Sequence, residues 1–175
     1  MEIIFIRHAE RDNSEKDPSL TKKGERQARY LAKRIKNMKI NEIYSSNLKR
    51  AKLTAEFISR ATKIKIKIEN SLDEFESETI KKPKRKWNEK EKEHYKRLIS
   101  FLKNLTKNPN EKRRVVIVAH GVTNRIILSY FLKLNLRRMI TFMQDEGCIN
   151  IIYWKEKFQN WRLKCWNDIS YISKI

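Results

Sequence analysis

Cysteine, histidine, glycine and proline are all scarce in this 175-residue chain, at two, three, three and three residues. Two cysteines without a CxxC spacing, Cys148 and Cys165, rule out a disulfide framework and a Cys-rich zinc site. Both fall in apolar, strand-like stretches and read as core residues rather than nucleophiles. Three histidines leave little material for a His-rich metal site, and no metal or other cofactor is expected. No apolar stretch approaches the ~18 residues that a membrane-spanning helix needs. The first ten residues, MEIIFIRHAE, lack a basic leader and a small-residue cleavage site, so they read as a strand and not as a signal peptide. A cytoplasmic location is the expectation that follows.

Acidic residues are also few. Lys plus Arg number 41 against 21 Asp plus Glu, a net charge of +20. Polyanion binding is the first implication of such a balance. The excess is spread out, however: residues 22–36 carry seven positive charges and one negative, and residues 81–97 carry nine and three. No RGG tract, RNP aromatic motif or zinc finger accompanies them. Lysine is heavily used everywhere beside Ile, Asn and Glu, a bias that base composition or heat adaptation also produces. A basic surface that attracts a small anionic substrate is the preferred reading, with nucleic acid not expected as the partner and the oligomeric state, dimer included, left open.

A hydrophobic content of 39% is too high for a disordered chain and falls in structured runs. The length favours one domain spanning 1–175. Residues 2–6, EIIFI, and 115–119, VVIVA, are apolar on both faces, as central parallel strands are. Between them, Thr21 can cap a helix running to about Met38, with Ala28, Leu31 and Ile35 on one face. NEIYSS at 41–46 reads as a short strand. Ser46 or Asn47 can cap a helix holding Ala51, Ala55 and Ile58. IKIKIE at 64–69 alternates as a half-buried strand does. A charged segment at about 73–95, containing Pro83, reads as an inserted loop before a helix whose stripe is Tyr95, Leu98, Ile99, Leu102 and Leu105. Gly121 marks the exit from the 115–119 strand into a helix with Ile126, Ile127 and Phe131. A short helix near 137–143 and a hairpin of INIIYW and WRLKCW close the chain. Strands alternating with helices predict a three-layer α/β/α sandwich with a mostly parallel central sheet. Both apolar strands end in chemically capable residues, Arg7-His8 and His120-Gly121. Ligand sites in such sheets form at the carboxyl ends of strands, so two histidines 112 positions apart can meet at one edge.

Five segments follow one another in order: Arg7-His8-Ala9-Glu10, Leu20-Thr21-Lys22-Lys23-Gly24 with Gln27-Ala28, Ser45-Ser46-Asn47-Leu48-Lys49-Arg50-Ala51 with Thr54-Ala55, Leu72-Asp73-Glu74, and Val118-Ala119-His120-Gly121. In turn they are similar to the RHG/RHA, LTxxGxxQA, SSxLxRAxxTA, LxE and VxHG motifs, and the ordered set resembles the histidine phosphatase superfamily, which includes the cofactor-dependent phosphoglycerate mutases. The resemblance implies a phosphoglycerate mutase-like fold and a phosphomonoesterase acting through a phosphohistidine on a small phosphorylated metabolite. By the same likeness, His8 is the nucleophile, Arg7, Arg50 and His120 hold the phosphoryl group, and Glu74 is the proton donor. Asn13 stands one residue off the family's phosphate-contacting Asn.

The chemistry of the residues agrees. Neutral imidazole can attack phosphorus, and guanidinium groups present paired N–H donors that match phosphoryl oxygens. Cations near His8 disfavour its protonation. With these donors no metal is required. Asp73, Glu76 and Glu78 crowd Glu74, and residues 75–120 contain no glycine, unlike the family's usual stretch there, so Glu76 stands as the second candidate acid. RHAERDNS departs from the mutases' RHGESxWN, and the chain ends soon after the hairpin. Both favour a hydrolase over a mutase. A phosphohistidine protein phosphatase and, in another class, a non-catalytic phospholigand-binding protein are the alternatives. Lys81, Lys82, Lys84, Arg85 and Lys86, before Trp87, read first as a solvated loop and second as a contact for a substrate anionic away from its phosphate.

Overall fold

The structure, a computed structural model, describes residues 1–12, 16–75 and 86–172. Strand β1, Glu2–Arg7, is followed by helix α1, Lys22–Lys36, strand β2, Glu42–Ser45, and helix α2, Lys49–Thr62. Strand β3, Ile66–Ile68, and a 3-10 turn, Asn70–Leu72, lead towards helix α3, Glu89–Leu105. Strand β4, Arg114–Ala119, then feeds helix α4, Gly121–Leu132, and a 3-10 segment, Leu136–Thr141. Strands β5, Ile149–Lys155, and β6, Asn160–Asp168, form the terminal hairpin.

The six strands lie in one sheet in the order β3-β2-β4-β1-β5-β6. The β2–β3, β2–β4 and β1–β4 pairs are parallel, and the β1–β5 and β5–β6 pairs are antiparallel. The expected mostly parallel α/β sandwich is therefore what forms. Strand alternation explains its layers, since successive side chains leave a strand on opposite faces. Ile3, Phe5, Val115 and Ile117 pack on one face with Leu98 and Leu102 of α3 and Ile126 and Ile127 of α4. Ile4, Ile6, Val116 and Val118 pack on the other with Leu31 and Ile35 of α1 and Ala55 and Ile58 of α2. Burying each such aliphatic side chain contributes about 1.5–3 kcal/mol. The two strands apolar on both faces are thus the ones that both layers cover.

Several boundaries differ from the sequence reading. Helix α3 begins at Glu89, inside the segment expected to be a loop through about 95. Asn88 and Glu91 form a reciprocal capping box there, with Glu91 N–H donating to Asn88 Oδ1 at 2.9 Å and Asn88 N–H to Glu91 Oε2 at 2.7 Å. Helix α2 is capped by neither Ser46 nor Asn47, because Leu48 occupies the cap position. Its first N–H group goes instead to Asp17, whose two carboxylate oxygens accept from Lys49 N at 3.0 and 3.1 Å. Strand β3 is shorter than 64–69 and lies at the sheet edge, so Ile68 is exposed rather than half-buried. Thr21 caps α1 as expected, accepting from Gly24 N–H at 2.9 Å. Cys148 is fully buried, and burial pushes its thiol up to about 11; Cys165 is partly buried against the same side of the sheet as Ile151. Among the described residues, no helix is long and apolar enough to cross a membrane.

Candidate active site

Parallel pairing of β1 with β4 sets Arg7 opposite Ala119, so the next residues on each strand, His8 and His120, leave the sheet side by side. His8 N–H donates to Ala119 O at 3.0 Å, and the two imidazole centroids are 5.1 Å apart. His120 takes the extended cap position of α4, which directs that helix's N-terminus at the same point. Strand β2 ends beside them at Ser45-Ser46, and Arg50 enters from the first turn of α2.

His8 is 2% exposed. Its Nδ1 lies 2.9 Å from Ala9 O, and a carbonyl only accepts, so Nδ1 carries the proton and Nε2 keeps a free lone pair. Burial holds its pKa down to about 3, with Arg50, Arg7 and Arg11 adding repulsion. The expectation that cations keep His8 neutral names the smaller causes; desolvation is the larger. The Ala9 segment is fixed in turn by α2, since Ala9 N–H donates to Thr54 Oγ1 at 3.0 Å and that hydroxyl donates to Arg50 O at 2.8 Å.

Arg7 is oriented from the far side of the chain. Its Nη1 donates to Gln144 O at 2.5 Å and its Nη2 lies 3.6 Å from Glu146 Oε1. Gly147, at a φ of 81°, donates its N–H to both Arg7 O (3.1 Å) and His8 O (2.9 Å). The left-handed backbone suits glycine. Arg50 is 5% exposed, with Nη1 3.5 Å from Asp17 Oδ1, and burial lowers its pKa. Glu74 Oε1 accepts from Val122 N–H at 3.1 Å at the start of α4, and Oε2 lies 3.9 Å from His120 Nδ1. A quarter of its side chain is exposed, yet burial in the cleft raises its pKa against the pull of that N–H, Arg50 and Arg7.

His120 is fully buried, and desolvation holds its pKa well below the usual value. Its Nε2 lies 2.8 Å from Ser46 Oγ, whose single proton goes to Asp73 Oδ1 at 2.7 Å. Among the described residues, three buried polar atoms here have no hydrogen-bond partner: Arg7 Nε, Arg50 Nε and His120 Nδ1. Two are N–H donors, one at the end of β1 and one in the first turn of α2, and a phosphoryl oxygen is the acceptor that matches them.

The structure thus brings His8, Arg7, Arg50, Glu74 and His120 together. Asn13, Glu76 and Glu78, and the cations Lys81, Lys82, Lys84 and Arg85, lie outside the described residues. Asp73 is bound to Ser46 Oγ and Asn47 N–H, which makes it part of the scaffold and not a rival acid. Sequence reasoning missed Gln144, Glu146 and Gly147, and also the cations Arg11 and Arg125, whose charge reaches the site. No cluster of three or more His, Cys, Asp and Glu with metal-holding geometry occurs among the described residues.

Paired imidazoles, two guanidinium groups and one cleft carboxyl lie together at the carboxyl edge of a mostly parallel sheet, an arrangement whose donors suit a phosphoryl group. The chain belongs to the histidine phosphatase superfamily (branch 1), whose sequence model matches residues 3–96 and 76–169. Among curated relatives, phosphoserine phosphatase 1 of Hydrogenobacter thermophilus is 27% identical over 90% of this chain and 88% of its own. A probable phosphoglycerate mutase, GpmB, of Salmonella choleraesuis is 33% identical, over 47% of this chain and 41% of that protein. Among solved structures, a phosphoserine phosphatase from Entamoeba histolytica, crystallised with 3-phosphoglyceric acid, has the same fold with a TM-score of 0.80. It is 20% identical, over 98% of both chains.

Proposed function

We propose that the chain is a phosphomonoester hydrolase that acts on a small phosphorylated metabolite through a phosphohistidine at His8. One observation carries this reading: the free Nε2 of His8, on an imidazole that stays neutral, sits beside unpartnered buried N–H groups of two arginines. In the first step the Nε2 lone pair attacks phosphorus. The phosphorus–oxygen ester bond breaks, and the leaving oxygen takes its proton from Glu74, whose raised pKa favours the acid form. Arg7, Arg50 and the N-terminus of α4 stabilise the charge on the transferring group. In the second step Glu74, now a carboxylate, takes a proton from water as that water attacks the phosphohistidine. Inorganic phosphate leaves, and both groups regain their starting protonation.

The arginines supply the positive charge that a divalent cation would otherwise bring, so the activity requires no metal. Likeness to a phosphatase extends along nearly the whole chain, whereas the likeness to GpmB covers about half, which favours hydrolysis over mutase chemistry. Phosphoserine and phosphoglycerate, the ligand types of the relatives, are the first substrates to try. The test is release of phosphate from p-nitrophenyl phosphate in EDTA by the wild type and by His8→Ala. The wild type should turn over and the variant should lose at least a thousandfold, the order of loss seen when a nucleophile is removed. Equal slow rates in the two proteins would leave a phospholigand-binding protein as the better description.

A further inference from the structure

Ser46 Oγ accepts from Leu48 N–H at 3.1 Å and gives its only proton to Asp73 Oδ1. It can therefore meet His120 Nε2 only as an acceptor, so Nε2 carries the imidazole proton. In neutral His120 the other nitrogen, Nδ1, is then a bare lone pair. That buried, unpartnered atom faces the cleft, 3.9 Å from Glu74 Oε2 and beside the His8 ring. A lone pair there would repel a phosphoryl oxygen instead of binding it.

We propose that Asp73 and Ser46 are positioning residues that make His120 a proton-accepting site: neutral with Nδ1 bare in the free protein, and doubly protonated once a phosphoryl group is seated. This rests on the assignment of the cleft as a phosphoryl site. The exchange balances simply. A phosphate monoanion enters, its P–OH proton moves to Nδ1, and the ligand is held as a dianion by an Nδ1–H donor; Glu74 keeps its own proton for the leaving oxygen. Around His120, Arg7 of β1, His8 and Arg11 just beyond that strand and Arg50 of α2 oppose the added charge. Asp73, transmitted through Ser46 Oγ, and the incoming anion favour it. The carboxylate is kept one hydroxyl away, so the free site is not filled by a permanent ion pair.

Asp73→Asn separates charge from geometry, because Asn Oδ1 can still accept from Ser46 Oγ and from Asn47 N–H, the latter at 2.8 Å in the wild type. In 15N-histidine spectra of the free wild type near neutral pH, His120 should be the neutral Nε2–H form. Saturating inorganic phosphate should convert it to the doubly protonated form. At pH 8, where phosphate is mostly dianionic, calorimetry in buffers of different ionisation enthalpy should show a proton taken up on binding. Asp73→Asn should keep the free tautomer, take up less of that proton, and bind phosphate about tenfold more weakly, the usual worth of a charged hydrogen-bond partner. Ser46→Ala should lose the Nε2–H preference. The proposal is overturned if free His120 is already charged or carries its proton on Nδ1. It is overturned equally if wild-type binding takes up no proton, or if Asp73→Asn binds phosphate as the wild type does. These readouts need no turnover, so a protein that binds phosphate in this way but cleaves no ester would remove the hydrolase reading and leave the relay standing.

Discussion

At His8 the decisive feature is which nitrogen is bare. The Ala9 carbonyl holds the proton on Nδ1, and burial keeps the ring neutral far below the usual histidine range. The sign of the pH dependence follows. Unfolded His8 binds a proton near 6.5 and folded His8 only near 3, so the unfolded chain gains on the folded one as pH falls through that interval. Folding stability should drop by up to about 1.4 kcal/mol per pH unit from this group, with nothing lost above 6.5. Histidine NMR should show His8 still neutral at pH 5; a midpoint at 6.5 would contradict the burial argument. A second prediction concerns Arg50, whose buried guanidinium offers a donor pair that an ammonium lacks. Arg50→Lys should restore only part of the kcat/KM lost in Arg50→Ala, leaving it at least tenfold below wild type, the worth of one charge-assisted hydrogen bond. Full recovery would mean that charge alone matters there.

At the scale of elements, α1 and the β1 exit are joined at Gly24. Thr21 N–H donates to Glu10 O at 3.1 Å, Thr21 Oγ1 to Glu10 Oε1 at 2.8 Å, and Gln27 Oε1 accepts from Glu10 N–H at 2.8 Å. A Cβ on residue 24 would overlap the Glu10 carbonyl. Gly24→Ala should cost about 1–3 kcal/mol by forced displacement, read as a lowered Tm, with a fall in activity because Glu10 lies two residues from His8. An unchanged Tm would contradict the close packing. The same elements show what could be read from residues alone. Strands β1 and β4 were legible because both faces are apolar, and the helix starts were legible where a side chain caps, as at Thr21. The start of α3 was missed although Asn88-x-x-Glu91 is a capping signature, because the dense charge around it looked like loop. His8, Arg7, Arg50 and His120 were legible because each abuts a strand end or opens a helix within a dense motif, and Glu74 because it ends the Leu72-Asp73-Glu74 segment. Gln144 and Gly147 were not, because they act through backbone groups on a residue some 137 positions away. The Ser46–Asp73 contact needs tertiary placement to be seen at all.

Over the whole molecule the net charge of +20 surrounds a cleft that already concentrates guanidinium groups. Attraction of an anionic substrate should therefore be salt-dependent. The Debye length falls from about 30 Å at 0.01 M to about 8 Å at 0.15 M. Across that range kcat/KM for a doubly anionic ester should fall several-fold, with the loss in KM rather than kcat. A salt-independent KM would confine the lysine excess to solubility.

The proposed mechanism requires phosphorus to become bonded to His8. Rapid quenching of the wild type with a 32P-labelled phosphomonoester, followed by peptide mapping, tests it most directly. The predicted result is label on the peptide containing His8, stable to alkali, labile to acid and absent in His8→Ala. Label on a serine or aspartate, or turnover of ester by His8→Ala at the wild-type rate, would contradict it.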